Sequence, residues 1–64
     1  MSIGENIRRL REEKNFTQKQ LAEAVYITPS MLCQIERGTK IPSMPLGKEI
    51  ASVLKCNLDE LYAD

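Results

Sequence analysis

The chain has 64 residues, which we expect to form one domain with no room for a second. Nine basic residues balance nine acidic ones, so the net charge gives no sign of a strongly charged partner. Two widely separated cysteines and no histidine argue against a metal site, and no cofactor is expected.

The first predicted helix covers roughly residues 3–13. Ile3, Ile7 and Leu10 recur there at helical spacing and form one apolar stripe. Asn15 follows as the expected end of the helix. No signal peptide and no long apolar run occur in the sequence, so we expect a cytoplasmic protein with reduced thiols.

The second predicted helix starts after Thr17. This threonine is a typical N-cap, and Gln20 three residues later completes a capping box. Phe16 precedes the cap and is placed to pack on Leu21 as a hydrophobic staple. The apolar residues expected to face the core are Leu21, Ala22 and Val25.

The third predicted helix repeats this pattern. Thr28 is the expected N-cap, and Pro29 occupies the first helical position, where its missing N–H costs nothing. Gly38 fits a C-terminal position that needs a positive φ. Leu32 and Ile35 are expected to face inward. The residues left for the outside are Ser30, Cys33 and Gln34.

Two more helices complete the chain. Ser43 caps a fourth helix, whose apolar positions are Leu46, Ile50, Val53 and Leu54. Asn57 and Glu60 form a further capping box for a short fifth helix of about one and a half turns. Because no segment alternates with a period of two residues, the predicted fold class is all-α.

The second and third helices form a pair joined by a tight turn, over about residues 17–37. A helix pair of this size commonly places its second helix in the major groove of DNA. Residues 1–20 carry five basic and three acidic side chains, whereas the last eight residues carry acidic ones only. A basic end is expected of a molecule that presents one face to phosphate groups.

With its helices placed, the sequence resembles the phage-repressor type of helix-turn-helix family (Cro/cI-like, or XRE-type). The matching residues run in order through the chain: Ile7, Leu10, Arg11, Thr17, Gln18, Leu21, Ala22, Glu23, Thr28, Ser30, Leu32, Ile35, Glu36, Arg37, Gly38, Pro42, Ser43, Ile50, Ala51, Leu54, Leu58, Asp59, Glu60 and Leu61. The resemblance implies a compact, five-helix, lambda-repressor-like DNA-binding domain over residues 1–64, with helices 2 and 3 as the helix-turn-helix.

The resemblance also implies contacts to the DNA backbone. Gln18 would hold a phosphate together with the free N–H groups at the start of helix 2. Arg11 and Glu36 match a pair that forms a partly buried ion bridge between helices 1 and 3, a device for positioning more than for net stability. The expected backbone-contacting residues are Thr17, Gln18, Arg37, Thr39 and Lys40.

Base recognition is expected at the exposed start and middle of helix 3. Ser30 can donate to or accept from either type of base, and Gln34 can pair bidentately with N6 and N7 of adenine. Pro29 and Met31 offer apolar contact, for example to a thymine methyl group, and Cys33 borders the DNA groove. Ordinary roles compete with these, since a serine in a first helical turn often bonds the backbone and Gln34 could be merely solvated.

Three residues depart from the family pattern. Tyr26 stands in place of a turn glycine, where φ tends to be positive, so the turn is either strained or shaped differently. Gly47 stands where helix 4 usually carries a buried leucine, which leaves Leu46 or Met44 to fill the space. Lys55 replaces the glycine that usually precedes the last helix.

The implied function is that of a sequence-specific regulator of transcription. We expect a repressor that binds a two-fold symmetric operator in double-stranded DNA through helix 28–37, in a prokaryotic cell or a phage-infected host. Homodimerisation is expected because two recognition helices multiply the discrimination of one. The expected dimer interface includes Leu58, Leu61 and Tyr62, although these leucines could instead close the core.

Two other classes of function compete with this one. A protein-interaction module, such as an antitoxin or an antirepressor-binding partner with secondary DNA binding, is slightly favoured by the neutral net charge. An enzyme is not expected, because the sequence has no histidine, no nucleophile beside a base and no glycine-rich phosphate loop. With no small-molecule site or effector domain evident, a signal is expected to act through a regulatory protein partner or through expression level.

Overall fold

Residues 2–63 of the chain are described by a computed structural model, and they form five helices. The helices are α1 (Ile3–Glu13), α2 (Gln18–Ala24), α3 (Pro29–Arg37), α4 (Met44–Val53) and α5 (Leu58–Tyr62). No strand occurs in this part of the chain, so the predicted all-α fold is confirmed. α3 packs against α1 and α2, while α5 packs against α1 and α4. None of these helices is long and apolar enough to cross a membrane.

Each helix is preceded by an N-cap residue whose side chain accepts a hydrogen bond from the backbone N–H of the residue three positions later. The five caps are Ser2, Thr17, Thr28, Ser43 and Asn57. The predicted capping box of Thr17 and Gln20 is complete, with bonds of 2.9 and 3.0 Å. At α5 only the bond from the Glu60 N–H to Asn57 forms, at 2.9 Å. Ser2 forms a second complete box with Glu5, which the sequence analysis missed.

Four helices end in the same hydrogen-bonded turn, in which one residue takes a left-handed conformation. These residues are Asn15 (φ 63°), Tyr26 (φ 62°), Gly38 (φ 88°) and Lys55 (φ 56°). The N–H of the next residue returns to a carbonyl five residues back, as from Ile27 to Ala22 at 2.9 Å, which is the Schellman pattern. The turn at Tyr26 therefore keeps the shape that suits glycine, and the tyrosine is strained in it.

Replacing Tyr26 with glycine is expected to stabilise the fold. A non-glycine residue in the left-handed region costs about 1–2 kcal/mol, part of which the extra flexibility of unfolded glycine offsets. The Tyr26 side chain is 92% exposed, so its removal loses little packing. We expect the free energy of unfolding in urea to rise by about 0.5–1 kcal/mol. Asn15→Gly is the matched control and should gain less, because asparagine tolerates this conformation; a loss of stability in Tyr26→Gly would contradict the strain.

The core consists of apolar side chains from all five helices and from the turns after α2 and α4. Its members are Ile7, Leu10, Leu21, Ala22, Val25, Leu32, Ile35, Ile50, Ala51, Leu54 and Leu61. Leu61 has no exposed surface, so its predicted place in a dimer interface is wrong. Its side chain is buried in the core of the domain. Its neighbour Tyr62 remains 40% exposed.

The space beside Gly47 is occupied by an aromatic ring from α5. The Tyr62 hydroxyl oxygen lies 3.0 Å from the position that a Cβ on Gly47 would take. The expectation that Leu46 or Met44 would fill this space is therefore wrong, and Met44 remains 50% exposed. An aromatic ring of α5, and not a side chain of α4, thus fills the space beside Gly47.

Two residues of α1 make close contacts that the sequence analysis did not predict. A Cβ on Gly4 would overlap the Ile35 carbonyl oxygen and would lie 2.7 Å from that of Glu36. The buried Asn6 amide donates to the carbonyl oxygens of Leu61 at 3.0 Å and Ala63 at 2.6 Å. These contacts hold α1 against the end of α3 and against α5.

Candidate functional site

A groove lies between α1, the start of α2 and one side of α3. Its lining residues are Arg8, Arg11, Phe16, Thr17, Gln18, Cys33, Glu36 and Arg37. Six of them are residues predicted to contact DNA or to form the ion bridge, and they come from three separate helices and a cap. Arg8 is an addition to that set. Three guanidinium groups and one carboxylate among the lining side chains make the groove attractive to anions.

A buried ion pair forms the floor of the groove. Arg11 Nε lies 2.7 Å from Glu36 Oε2, and Arg11 Nη2 donates to Glu36 Oε1 at 3.2 Å. The two side chains are only 10% and 3% exposed. Arg11 Nη1 also donates to the Phe16 carbonyl oxygen at 2.8 Å, which fixes the guanidinium plane. Because the pair is bidentate and further bonded, it holds α1, α3 and the turn before α2 in one arrangement.

Gln18 is attached to this ion pair. Its Nε2 donates to Glu36 Oε1 at 3.0 Å, and the side chain is half-buried. A primary amide carries two N–H groups, so the second remains available to a ligand in the groove. Thr17 accepts the N–H of Gln20 with its hydroxyl oxygen, which leaves the hydroxyl proton free to donate.

The loop after α3 contains an exposed cation, Lys40, and a hydroxyl group, that of Thr39, which is hydrogen-bonded within the protein. Thr39 uses its hydroxyl to donate to the Gln34 carbonyl oxygen at 3.1 Å, and its backbone N–H donates to the same oxygen at 3.0 Å. Lys40 is exposed and pairs with no carboxylate among residues 2–63. Thr39 therefore ends the helix, whereas Lys40 presents its ammonium group to solvent.

The outer face of α3 carries the side chains predicted to read bases. Pro29, Ser30 and Gln34 are exposed, and Ser30 and Gln34 stand one turn apart on the same side of the helix. Met31 is half-buried and packs against the core, so only part of it can contact a ligand. Cys33 is half-buried and lines the groove. Among the residues predicted to read bases, the exposed polar ones are thus Ser30 and Gln34.

The two cysteines are free thiols in separate surroundings. Cys33 faces the groove, whereas Cys56 follows α4 and packs against the core. Partial burial raises the pKa of the Cys56 thiol, and the nearby Glu60 carboxylate raises it further. No group of three or more cysteine, aspartate or glutamate side chains within residues 2–63 is placed to hold a metal ion.

Comparison with known proteins places the chain among helix-turn-helix proteins. A model of the helix-turn-helix family matches residues 7–61. The chain is 41% identical over 58 residues to YazB, an HTH-type transcriptional regulator of Bacillus subtilis, covering 91% of this chain and 84% of that protein. It is 37% identical to the immunity repressor of Bacillus phage phi105, of whose length it spans only 44%. The P22 c2 repressor, solved with a synthetic operator, superposes with a TM-score of 0.91 at 25% identity, over 98% of this chain and 96% of that one.

Proposed function

The chain belongs to the Cro/cI-like helix-turn-helix family of DNA-binding transcriptional regulators, and we propose that it represses transcription by binding a two-fold symmetric operator. The observation that carries this proposal is the groove beside α3. An exposed polar helix face lies next to a concave surface with three arginines, in a fold that the P22 c2 repressor uses in complex with its operator. Such a regulator acts on DNA in the cytoplasm of a prokaryotic cell or phage host.

We propose that α3 enters the major groove and reads bases with Ser30 and Gln34. Gln34 has the geometry to pair with adenine N6 and N7, and Ser30 suits either type of base. Pro29 and the exposed part of Met31 would supply apolar contact, while Cys33, which lines the groove, would border the DNA groove. So few polar side chains imply that DNA shape supplies a share of the specificity.

Backbone contacts are assigned to the groove and to the loop after α3. Gln18 would donate its free N–H to a phosphate, and Thr17 its hydroxyl proton. Arg37 and Lys40 would each contribute a charge. Thr39 is assigned a different part, because its donors are used inside the protein: it holds the end of α3 and thereby positions Lys40.

The proposed active form is a homodimer, since one α3 reaches only a few base pairs. With Leu61 in the core, the proposed interface at the C-terminal end keeps Leu58, which is half-buried, and Tyr62, which is partly exposed. The Tyr62 ring lies beside Gly47, and Met44 lies one helical turn before that glycine. Met44 therefore adds exposed apolar surface near Tyr62. A regulatory protein partner is proposed to act on this dimer.

Replacing Gln34 with alanine tests base reading directly. We expect a loss of about 1–3 kcal/mol in binding at one base position of each half-site, with relaxed preference there and little change elsewhere. Lys40→Ala is the comparison variant and should weaken binding to all sequences alike, with a flatter salt dependence. Binding titrations on duplexes that carry each base at each position measure both effects. An unchanged base preference in Gln34→Ala would remove this residue from the recognition surface.

A further inference from the structure

Arg8 lies at the edge of the groove and has no assigned part in DNA binding. Its side chain is 65% exposed and lines the groove together with Gln18 and Arg37. Its Nε lies 3.4 Å from Glu12 Oε2, one helical turn along α1. The same carboxylate oxygen lies 3.9 Å from Arg11 Nη2. Glu12 therefore stands as an anion at the border of a positively charged groove.

The hold of Glu12 on Arg8 is weak. Exposed ion pairs at this helical spacing contribute only about 0.3–0.5 kcal/mol, and salt screens them. The 3.4 Å distance is also long beside the 2.7 Å of the buried pair between Arg11 and Glu36. A phosphate oxygen that enters the groove can therefore replace the carboxylate at little cost. An arginine fork suits that replacement, because it matches phosphate geometry bidentately.

We propose that Arg8 is a further phosphate-binding residue of the groove. In the free protein its guanidinium group pairs with Glu12, until a DNA phosphate displaces the carboxylate. The inference rests on the proposed function, because the anion that fills the groove is a backbone phosphate of duplex DNA. A phosphate bound by the free N–H of Gln18 would lie in the groove that Arg8 lines from α1 and Arg37 lines from α3. Both guanidinium groups would then face the same anion.

The neighbouring residues provide a matched control. Arg9 and Glu13 form an ion pair of the same spacing on the same helix, with Nη1 and Oε2 3.2 Å apart. Neither residue lines the groove. One position along an α-helix turns the side chain by about 100°, which points Arg9 away from the groove. The two arginines thus differ in position, while both are exposed and each pairs with a glutamate one turn along the helix.

The test measures binding of the full chain to an operator duplex and to an unrelated duplex over a range of salt concentrations. Arg8→Gln should weaken binding to both duplexes by the same factor, about five- to tenfold near 0.1 M salt. The fall of log K with log salt should also become less steep, by about 0.9 in slope. Arg9→Gln should leave that slope as in the unchanged protein. Arg8→Lys should keep the slope, because it keeps the charge.

Glu12→Gln tests the second half of the inference. It should raise affinity when Arg8 is present and should have a clearly smaller effect in the Arg8→Gln background. Equal slopes for Arg8→Gln and Arg9→Gln, or equal effects of Glu12→Gln in both backgrounds, would overturn the inference while leaving DNA binding intact. If the unchanged protein binds neither duplex, the proposed function fails and the inference fails with it.

Discussion

Replacing Glu36 with alanine is expected to lower the free energy of unfolding by about 3–5 kcal/mol. The change leaves the Arg11 guanidinium buried without its carboxylate, and it removes the acceptor that holds the Gln18 amide. A domain of this size has few kcal/mol to spare, since stability runs at about 0.05–0.15 kcal/mol per residue. The variant should therefore lose a third or more of its stability, seen as a large fall in the urea midpoint followed by circular dichroism.

Glu12→Ala is the matched control for this loss. Glu12 is a carboxylate on α1 that also faces Arg11, but it is 57% exposed. Its removal should change the free energy of unfolding by no more than about 0.5 kcal/mol. A Glu36→Ala protein as stable as Glu12→Ala would contradict the importance of the buried pair.

The paired replacement Arg11→Met with Glu36→Leu separates stability from function. Apolar residues of similar volume can replace a buried ion pair at little cost, so most of the stability lost in Glu36→Ala should return. Gln18, however, would still lack its acceptor. We expect this double variant to fold and to bind DNA more weakly than the unchanged protein. Unchanged DNA affinity would show that the ion pair does not position Gln18 for binding.

Replacing Gly4 with alanine is the second large effect we expect. The added methyl group would meet the backbone carbonyls of Ile35 and Glu36, which cannot rotate away as a side chain can. Overpacking of this kind costs about 1–3 kcal/mol, more than the roughly 0.5–1 kcal/mol that alanine gains over glycine in a helix. A net loss of about 1–2 kcal/mol in the free energy of unfolding, measured in urea, is the predicted result.

Gly47→Ala provides the comparison, because Gly47 is also a buried helical glycine. The nearest atom to its added Cβ is the hydroxyl oxygen of Tyr62, at 3.0 Å, the far end of a side chain that can shift. The gain in helix propensity should therefore balance the contact, and stability should change by less than about 0.5 kcal/mol. Equal losses in the two variants would show that the close approach of α1 to α3 is not rigid.

Local interactions explain which features the sequence could predict. The caps at Thr17, Thr28, Ser43 and Asn57 bond to N–H groups three residues away, so residue type and spacing identify them. For the turn at Tyr26 the sequence allows two outcomes, a strained left-handed turn or a turn of another shape. The family resemblance identifies the position, and the φ of 62° together with the backbone hydrogen bonds from Tyr26 and Ile27 into α2 shows that the left-handed form holds.

Long-range packing explains what the sequence did not predict. Asn6 bonds to carbonyls 55 and 57 residues away, and no local pattern marks it as different from a solvated surface residue. Gly4 owes its place to the end of α3, and the Tyr62 ring covers Gly47 from a different helix. Arg8 likewise belongs to the candidate site only because α1, α2 and α3 pack around the groove that it lines.

Selection from a library of random duplex DNA at fixed salt tests most directly whether this chain reads DNA through α3. We expect enrichment of one motif with two-fold related half-sites whose centres lie about 10 base pairs apart. The same selection with Gln34→Ala should lose preference at one position in each half-site and keep the spacing. Recovery of no motif by the unchanged protein, under conditions in which it remains folded, would contradict sequence-specific binding.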